Sequence, residues 1–203
     1  MTRRPFSLVR RTCKRNIVVH HTHILNCGIL DLIQSGDIVF FDDCVYSQYV
    51  FFMENARFFM KNDIYVVFGF STALFRQNSV RPVIETTSEL HRRFHMGDST
   101  ALAGFMSLSE LNGVLDFERC YLACHGRMHL DLDRGTGYPE FRKDVEAAKD
   151  DMSKFGIRTN IFVYPYDRPF RFSDEFLKSS GFNFIYPSDG RRVYIEELAD
   201  ATA

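Results

Sequence analysis

The sequence predicts an α/β fold in which parallel strands alternate with helices around one buried sheet. Three observations support this prediction. Short, nearly continuous apolar runs recur along the chain, which is typical of strands buried on both faces. Segments with helical apolar spacing lie between those runs. The 203 residues suffice for one well-buried core, and we therefore predict a single domain over residues 1–203.

The apolar runs predict six strands, and the segments between them predict three helices. The helix prediction at 140–155 is the clearest, because Phe141, Val145, Ala148, Met152 and Phe155 form one apolar stripe opposite Lys, Asp and Glu. Gly156 follows it as a C-terminal cap. The other predicted helices are residues 48–62 and 173–180, and the predicted strands are residues 16–21, 37–41, 64–70, 120–124, 160–164 and 182–186.

Two architectures of this class fit a chain of this length, an incomplete α/β barrel and an open doubly wound sheet. Both place their chemistry at the carboxyl ends of the strands. Reactive residues follow the apolar runs four times in this sequence, as expected for a site at that edge. They are His20 and His21, Asp42 and Asp43, His125, and Pro165 with Tyr166.

The composition excludes several classes of partner. Lys and Arg number 25 and Asp and Glu 26, for a formal net charge of -1, so we expect neither nucleic acid nor an anionic membrane as a partner. No apolar run has the length of a membrane span or a signal peptide. The five cysteines are odd in number and irregularly spaced, which favours reduced thiols and a cytoplasmic location. The sequence gives no oligomeric state.

The adjacent carboxylates of Asp42 and Asp43 are the first candidate for chemistry. Two carboxylates that end an apolar strand repel each other and resist desolvation, so a buried pair needs a cation. One can then bind a metal while the other serves as a base. An acidic pair in an ordinary surface turn is the alternative interpretation.

His125 and His129 are four residues apart, and on one helical turn they would face the same way and chelate a divalent ion. Together with Asp43 they would leave positions open for water and substrate, as a catalytic zinc site requires. Two independent, solvent-facing histidines are the alternative.

Two further histidine groups compete with this pair. His91 and His95 have the same spacing, but no apolar strand leads into them, so we interpret them as a basic, solvated helix face or a loop that contacts substrate. Among His20, His21 and His23, the alternation of a strand allows only some to face the site.

These residues resemble the motifs of the polysaccharide deacetylase family of carbohydrate esterases. Residues 40–44 (FFDDC) are similar to its first motif, T-F-D-D-G, and residues 125–129 (HGRMH) to its second, H-S/T-x-x-H. Residues 162–167 (FVYPYD) resemble the third, which often ends in Tyr-Pro-Tyr-Gly, and His20-His21 is similar to a Tyr-His string that ends the first strand. The resemblance extends from about residue 16 to residue 190.

The resemblance implies a distorted, incomplete (β/α) barrel of about seven parallel strands. It implies Asp43, His125 and His129 as ligands of a divalent metal, most often Zn²⁺, with Ni²⁺, Co²⁺ or Mn²⁺ as alternatives. Asp42 would be the catalytic base, and Tyr166 with Pro165 would face the oxyanion. The reaction would be hydrolysis of an N-acetyl group from an amino sugar.

The sequence departs from the family pattern at several positions. Cys44, Gly126 and Asp167 replace residues of the three motifs, and the Arg that often precedes the third motif is not evident. The usual C-terminal Leu-x-His, which supplies the general acid, is absent, so we assign that role to His21, with His23 as the alternative.

We therefore expect a cytoplasmic N-deacetylase of a precursor in surface polysaccharide biosynthesis, for example of the O-antigen of lipopolysaccharide. Two alternatives stay open. One is a degenerate relative that binds a metal, a carbohydrate or a partner protein without turnover, and the other is a metal-dependent hydrolase of another small amide.

Overall fold

A curled, seven-stranded parallel sheet forms the centre of the protein, as seen in a computed structural model that describes residues 6–19, 29–131, 136–169, 172–188 and 191–195. The strand order is β6-β5-β4-β3-β2-β1-β7, and each neighbouring pair is parallel. The strands are β1 (Asn16–Val18), β2 (Ile38–Phe41), β3 (Tyr65–Phe70), β4 (Cys120–Cys124), β5 (Ile161–Val163), β6 (Phe184–Tyr186) and β7 (Arg192–Tyr194).

This strand order confirms the prediction of an incomplete barrel over that of a doubly wound sheet. The chain adds β2 to β6 in one direction without turning back, as in a barrel. The last strand, β7, then pairs with β1 at the other side, with Ile17 opposite Val193. The sequence prediction missed β7, which is only three residues long.

The described helices are α1 (Phe6–Thr12), α2 (Tyr46–Lys61), α3 (Thr87–His95), α4 (Leu108–Gly113), α5 (Tyr138–Lys154) and α6 (Ser173–Ser179). The predicted helices correspond to α2, α5 and α6. Shorter 3₁₀ turns cover Ile29–Leu32, Ser99–Gly104, Val114–Asp116 and Pro165–Asp167. Within the ranges described, none of the helices has the length and apolar character needed to cross a membrane.

Aromatic rings fill the core on one face of the sheet, as the 21 phenylalanines suggested. Phe52 of α2 packs edge-on against Phe68 of β3, with ring centroids 5.3 Å apart, and Phe141 of α5 packs against Phe162 of β5 at 6.3 Å. A second apolar cluster covers the opposite face, where Phe6 of α1 contacts Tyr121 of β4. With both faces covered, polar side chains are left to the strand ends.

Candidate metal centre

Asp42 and Asp43 follow β2 directly and are both buried, at 6% and 5% exposure. The chain turns sharply there because Asp43 and Cys44 have positive φ values of 72° and 49°. Asp tolerates this left-handed conformation better than most residues. Cys44 adopts it at the position where the family pattern has glycine, and its buried thiol packs in the core. The turn separates the two carboxylates, which acquire different partners.

His125 lies at the end of β4, and its ring is held from behind. Its Nδ1–H donates to the carbonyl oxygen of Val163 over 2.8 Å, which leaves Nε2 as the free nitrogen of the neutral ring. That Nε2 lies 3.5 Å from Oδ1 of Asp43. A histidine whose far nitrogen donates to a carbonyl oxygen is the usual arrangement of a metal ligand.

His129 reaches the same carboxylate, with Nε2 2.7 Å from Oδ1 of Asp43. The prediction that His125 and His129 share a helical turn is wrong, because residues 125–131 form a loop. Gly126 and His129 have positive φ values of 78° and 54° there. The chain doubles back between the two histidines, so both rings still meet Asp43.

A buried carboxylate of α5 holds this loop. Asp144 accepts hydrogen bonds from the backbone N–H groups of Arg127 (2.7 Å) and Met128 (2.9 Å). A Cβ on Gly126 would lie only 2.6 Å from Oδ2 of Asp144. The glycine that departs from the family's Ser/Thr is therefore required by both the backbone angle and the space.

His91 of α3 is the third histidine at this carboxylate. Its Nε2 lies 3.2 Å from Oδ1 of Asp43, and its ring stacks on His129 with centroids 4.0 Å apart. Only 4% of the surface of His91 is exposed, so the interpretation of His91 as part of a solvated helix face is wrong. His95, one turn further along the helix, is exposed. In the described part of the chain, Asp43, His91 and His129 form a group whose ligand atoms lie within 4.8 Å of one another and can hold a metal ion.

The electrostatics of the centre favour a carboxylate surrounded by imidazoles. Burial alone would raise the pKa of Asp43, but the adjacent imidazoles of His129, His91 and His125 hold it well below its usual range. Burial lowers the pKa of His129 to about 4, so its ring is neutral at pH 7. Burial opposes a charge on His125 too, but its hydrogen bond to Asp43 raises its pKa above the usual value.

Asp42 turns to the other side and pairs with Arg192 of β7. The guanidinium group contacts both carboxylate oxygens of Asp42, with Nη1 3.0 Å from Oδ1 and Nη2 2.8 Å from Oδ2. It also donates to Asp167 from Nε (2.8 Å) and Nη2, and Tyr194 donates to the other oxygen of Asp167 over 2.7 Å. Arg192, which the sequence did not single out as a site residue, thus reaches Asp42 from β7.

Pro165 and Tyr166 follow β5 at the same edge of the sheet. Pro165 is buried, while Tyr166 has a left-handed φ of 58° and is 45% exposed. The Tyr166 ring lies edge-on to His129, with centroids 4.6 Å apart, and the guanidinium of Arg168 lies 5.6 Å from its centroid. His21 and His23 lie outside the described residues.

These side chains line a pocket of about 810 Å³ at the carboxyl ends of the strands. The pocket is lined by the candidate site residues Asp42, Asp43, His125 and His129. Residues of α3 form one wall, and Tyr166 and Tyr194 line another part. The donor set fits a divalent ion of borderline softness, because neutral imidazole nitrogens and one carboxylate oxygen suit zinc and its neighbours. The Nδ1 atoms of His91 and His129 are buried without a partner in the described residues, so each ring directs its polar contact toward Asp43.

Comparisons with known proteins give a similarity of fold. The deacetylase PplD of Streptococcus pyogenes, solved in complex with acetate, aligns with a TM-score of 0.48 and 14% sequence identity. The alignment covers 82% of this chain but only 63% of PplD. A de-N-acetylase from Aggregatibacter actinomycetemcomitans aligns with a TM-score of 0.50 and 12% identity, over 88% of this chain and 72% of that one. No known family model matches the sequence, and no curated protein is significantly similar to it.

Proposed function

We propose that this protein is a metal-dependent hydrolase that removes the N-acetyl group of an acetamido sugar, with residues 1–203 forming one catalytic domain. One observation carries the proposal. A single buried carboxylate oxygen of Asp43 is surrounded by histidine nitrogens, directly beside a second carboxylate, Asp42, at a pocket of about 810 Å³. The similarity of fold to a de-N-acetylase supports the choice of reaction.

Asp43, His125 and His129 are the proposed metal ligands, with Zn²⁺ as the favoured ion and Ni²⁺, Co²⁺ or Mn²⁺ as alternatives. The support comes from the burial of these side chains and from the contact of His125 Nδ1–H with the carbonyl oxygen of Val163, which turns Nε2 toward Asp43. When bound, such an ion polarises a carbonyl oxygen and makes a water molecule more acidic.

Asp42 is the proposed catalytic base. It lies next to Asp43 but points to a different partner, so it accepts the proton of the attacking water while Arg192 fixes its orientation. The backbone N–H of Tyr166, beside Pro165, is the proposed donor to the oxyanion. His21 stays our prediction for the acid that protonates the departing amine.

An acetylated amino sugar suits the rim of this pocket. The exposed ring of Tyr166 offers an apolar face on which a sugar ring can pack. Asp131, Thr136 and Arg168 line the same pocket and can form hydrogen bonds with the hydroxyl groups of a sugar. As the finer proposal, the substrate is a cytoplasmic precursor of a surface polysaccharide such as the O-antigen of lipopolysaccharide. The free thiols of Cys13, Cys44, Cys120 and Cys124 suit a reducing compartment.

Release of acetate tests this function directly. Zinc-loaded protein is incubated with a panel of acetylated amino sugars, free and nucleotide-linked, and acetate and free amine are measured. We expect turnover by the native chain, loss of turnover with retained metal for Asp42→Asn, and loss of metal uptake for Asp43→Ala. If Asp42→Asn also fails to bind metal, the roles of the two carboxylates are assigned wrongly.

A binding module without turnover is the second candidate. It is favoured by the pairing of Asp42 with Arg192, which contacts both oxygens of that carboxylate, and by the missing Leu-x-His. Stoichiometric metal binding without acetate release on the whole panel, unchanged by Asp42→Asn, would establish this candidate in place of the hydrolase.

A further inference from the structure

The position of His91 is unexpected for its helix. The neighbouring residues of α3 form ion pairs near the surface, between Arg92 and Glu89 and between Arg93 and Glu85. His91 is nevertheless 4% exposed and points inward. A buried imidazole costs free energy unless its nitrogens find partners, so its position requires an explanation.

A small apolar cluster fixes α3 at this position. Leu90 packs so tightly on Gly104 that a Cβ there would lie 2.4 Å from the leucine side chain. The ring of His91 lies edge-on to Phe105, with centroids 5.4 Å apart. Phe105 and Val45 form an antiparallel bridge, and Val45 follows the turn that carries Asp43. The packing of α3 therefore holds His91 against the turn that carries Asp43.

Three histidine nitrogens converge on one oxygen of Asp43. Nε2 of His129 lies at 2.7 Å, Nε2 of His91 at 3.2 Å and Nε2 of His125 at 3.5 Å from Oδ1. His125 presents a lone pair in its neutral form, because its proton is on Nδ1. A cation among these atoms would be attracted by the carboxylate oxygen and by the lone pair on each unprotonated Nε2.

We infer that His91 is a third histidine ligand, so that the ion is bound by Asp43, His91, His125 and His129. The inference rests on the proposed metal dependence and adds a ligand that the family motifs do not contain. It has two consequences. Three imidazoles favour Zn²⁺, Ni²⁺ and Co²⁺ over Mg²⁺ or Mn²⁺. The ion also ties α3, one wall of the pocket, to the sheet.

The experiment compares metal affinity between two histidines of the same helix. Metal-free native chain, His91→Ala and His95→Ala are titrated with Zn²⁺ against a chromophoric chelator. Removal of an outer-shell partner lowers metal affinity by about 10- to 100-fold, so loss of a ligand is expected to lower it by roughly 100-fold or more for His91→Ala. For His95→Ala, which is exposed and one turn away, the affinity is expected to stay within about twofold.

X-ray absorption of the zinc-loaded native chain provides a readout that needs no variant. Three imidazoles in the zinc shell support the inference, and two imidazoles overturn it. An unchanged affinity of His91→Ala also overturns it, even where acetate release is lost, because His91 then acts on the substrate and not on the ion. If the native chain binds zinc through three imidazoles but releases no acetate, the proposed function fails and this inference stands.

Discussion

Arg192 and Asp42 form a two-point ion pair, with Nη1 3.0 Å from Oδ1 and Nη2 2.8 Å from Oδ2, inside the protein. The planar fork of a guanidinium fixes the plane of a carboxylate as well as its position. The same arginine contacts the partly buried Asp167, so one buried cation compensates two carboxylates. The orientation of Asp42 therefore depends on the last described strand.

Replacement of Arg192 by methionine is expected to lower stability and activity together. The variant leaves the buried Asp42 without its cation, which costs about 3–5 kcal/mol when one partner of a buried ion pair is removed, and it also removes the partner of the partly buried Asp167. Urea unfolding of the metal-free protein measures the loss of stability, and acetate release measures the loss of activity. Arg191→Met, at an exposed neighbouring position, is the control and is expected to stay within about 0.5 kcal/mol of the native chain. Equal effects of the two variants would contradict the assigned role.

Asp144→Ala is expected to weaken metal binding from a position outside the ligand set. The change leaves the N–H groups of Arg127 and Met128 without their acceptor, at a cost of about 1–3 kcal/mol each where they stay buried. The loop that positions His129 loosens, and metal affinity falls by about 10- to 100-fold. Calorimetric zinc titration measures it, with exposed Asp150→Ala on the same helix as control. Native affinity in Asp144→Ala would show that the loop is held by other contacts.

Gly126→Ala and Gly156→Ala separate backbone strain from steric conflict. Both glycines have positive φ, 78° and 70°, so each alanine costs about 1–2 kcal/mol of backbone strain. A Cβ at position 156 meets no atom within 4 Å, but at position 126 it meets Asp144 at 2.6 Å. Thermal unfolding and zinc titration should show a larger loss of stability in Gly126→Ala, and a loss of metal affinity in that variant alone. Similar behaviour of both variants would contradict the steric argument.

The metal-free protein is expected to lose stability as the pH falls from about 6.5 to about 4. The pKa of His129 is lowered to about 4 in the folded chain, against an ordinary 6.5. The unfolded chain therefore takes up its proton first in this window, which costs up to about 3 kcal/mol of stability. The raised pKa of His125 changes stability at pH values above this window, and the lowered pKa of Asp43 changes it at pH values below the window. Urea unfolding at several pH values should show a shallower decline for His129→Gln, and an equal decline would contradict this origin.

Regular patterns in the sequence predicted most of the sheet. The runs at 37–41, 64–70 and 120–124 are apolar on both faces because both faces are covered, and β2, β3 and β4 lie there. The rule that chemistry lies at the carboxyl ends of parallel strands then predicted the edge at which Asp42, Asp43 and His125 lie. Local composition was sufficient there because the burial of these strands is nearly complete.

Contacts between distant segments were not predictable in the same way. Strand β7 has three residues and begins with a charged one, so its pairing with β1 leaves almost no periodic signal. His91 lies in a polar helix whose buried side is narrow. The apolar spacing of Leu90 and Phe94, four residues apart, indicates which side of the helix is buried. It does not indicate which segment that side packs against. The loop of His125 and His129 also lacks a local signal, because Asp144 shapes it from another element.

The separation of Asp42 and Arg192 along the chain, 150 residues, has a consequence for folding. Strands β1 to β6 can associate with their sequence neighbours, but β7 must return across the whole chain to reach β1, and long-range pairing of this kind is slow. Until β7 docks, Asp42 and Asp167 lack the cation that compensates them. The pairing of β7 with β1 therefore closes the sheet and brings Arg192 to Asp42 in the same event, and we expect the pocket to become competent only when that pairing forms.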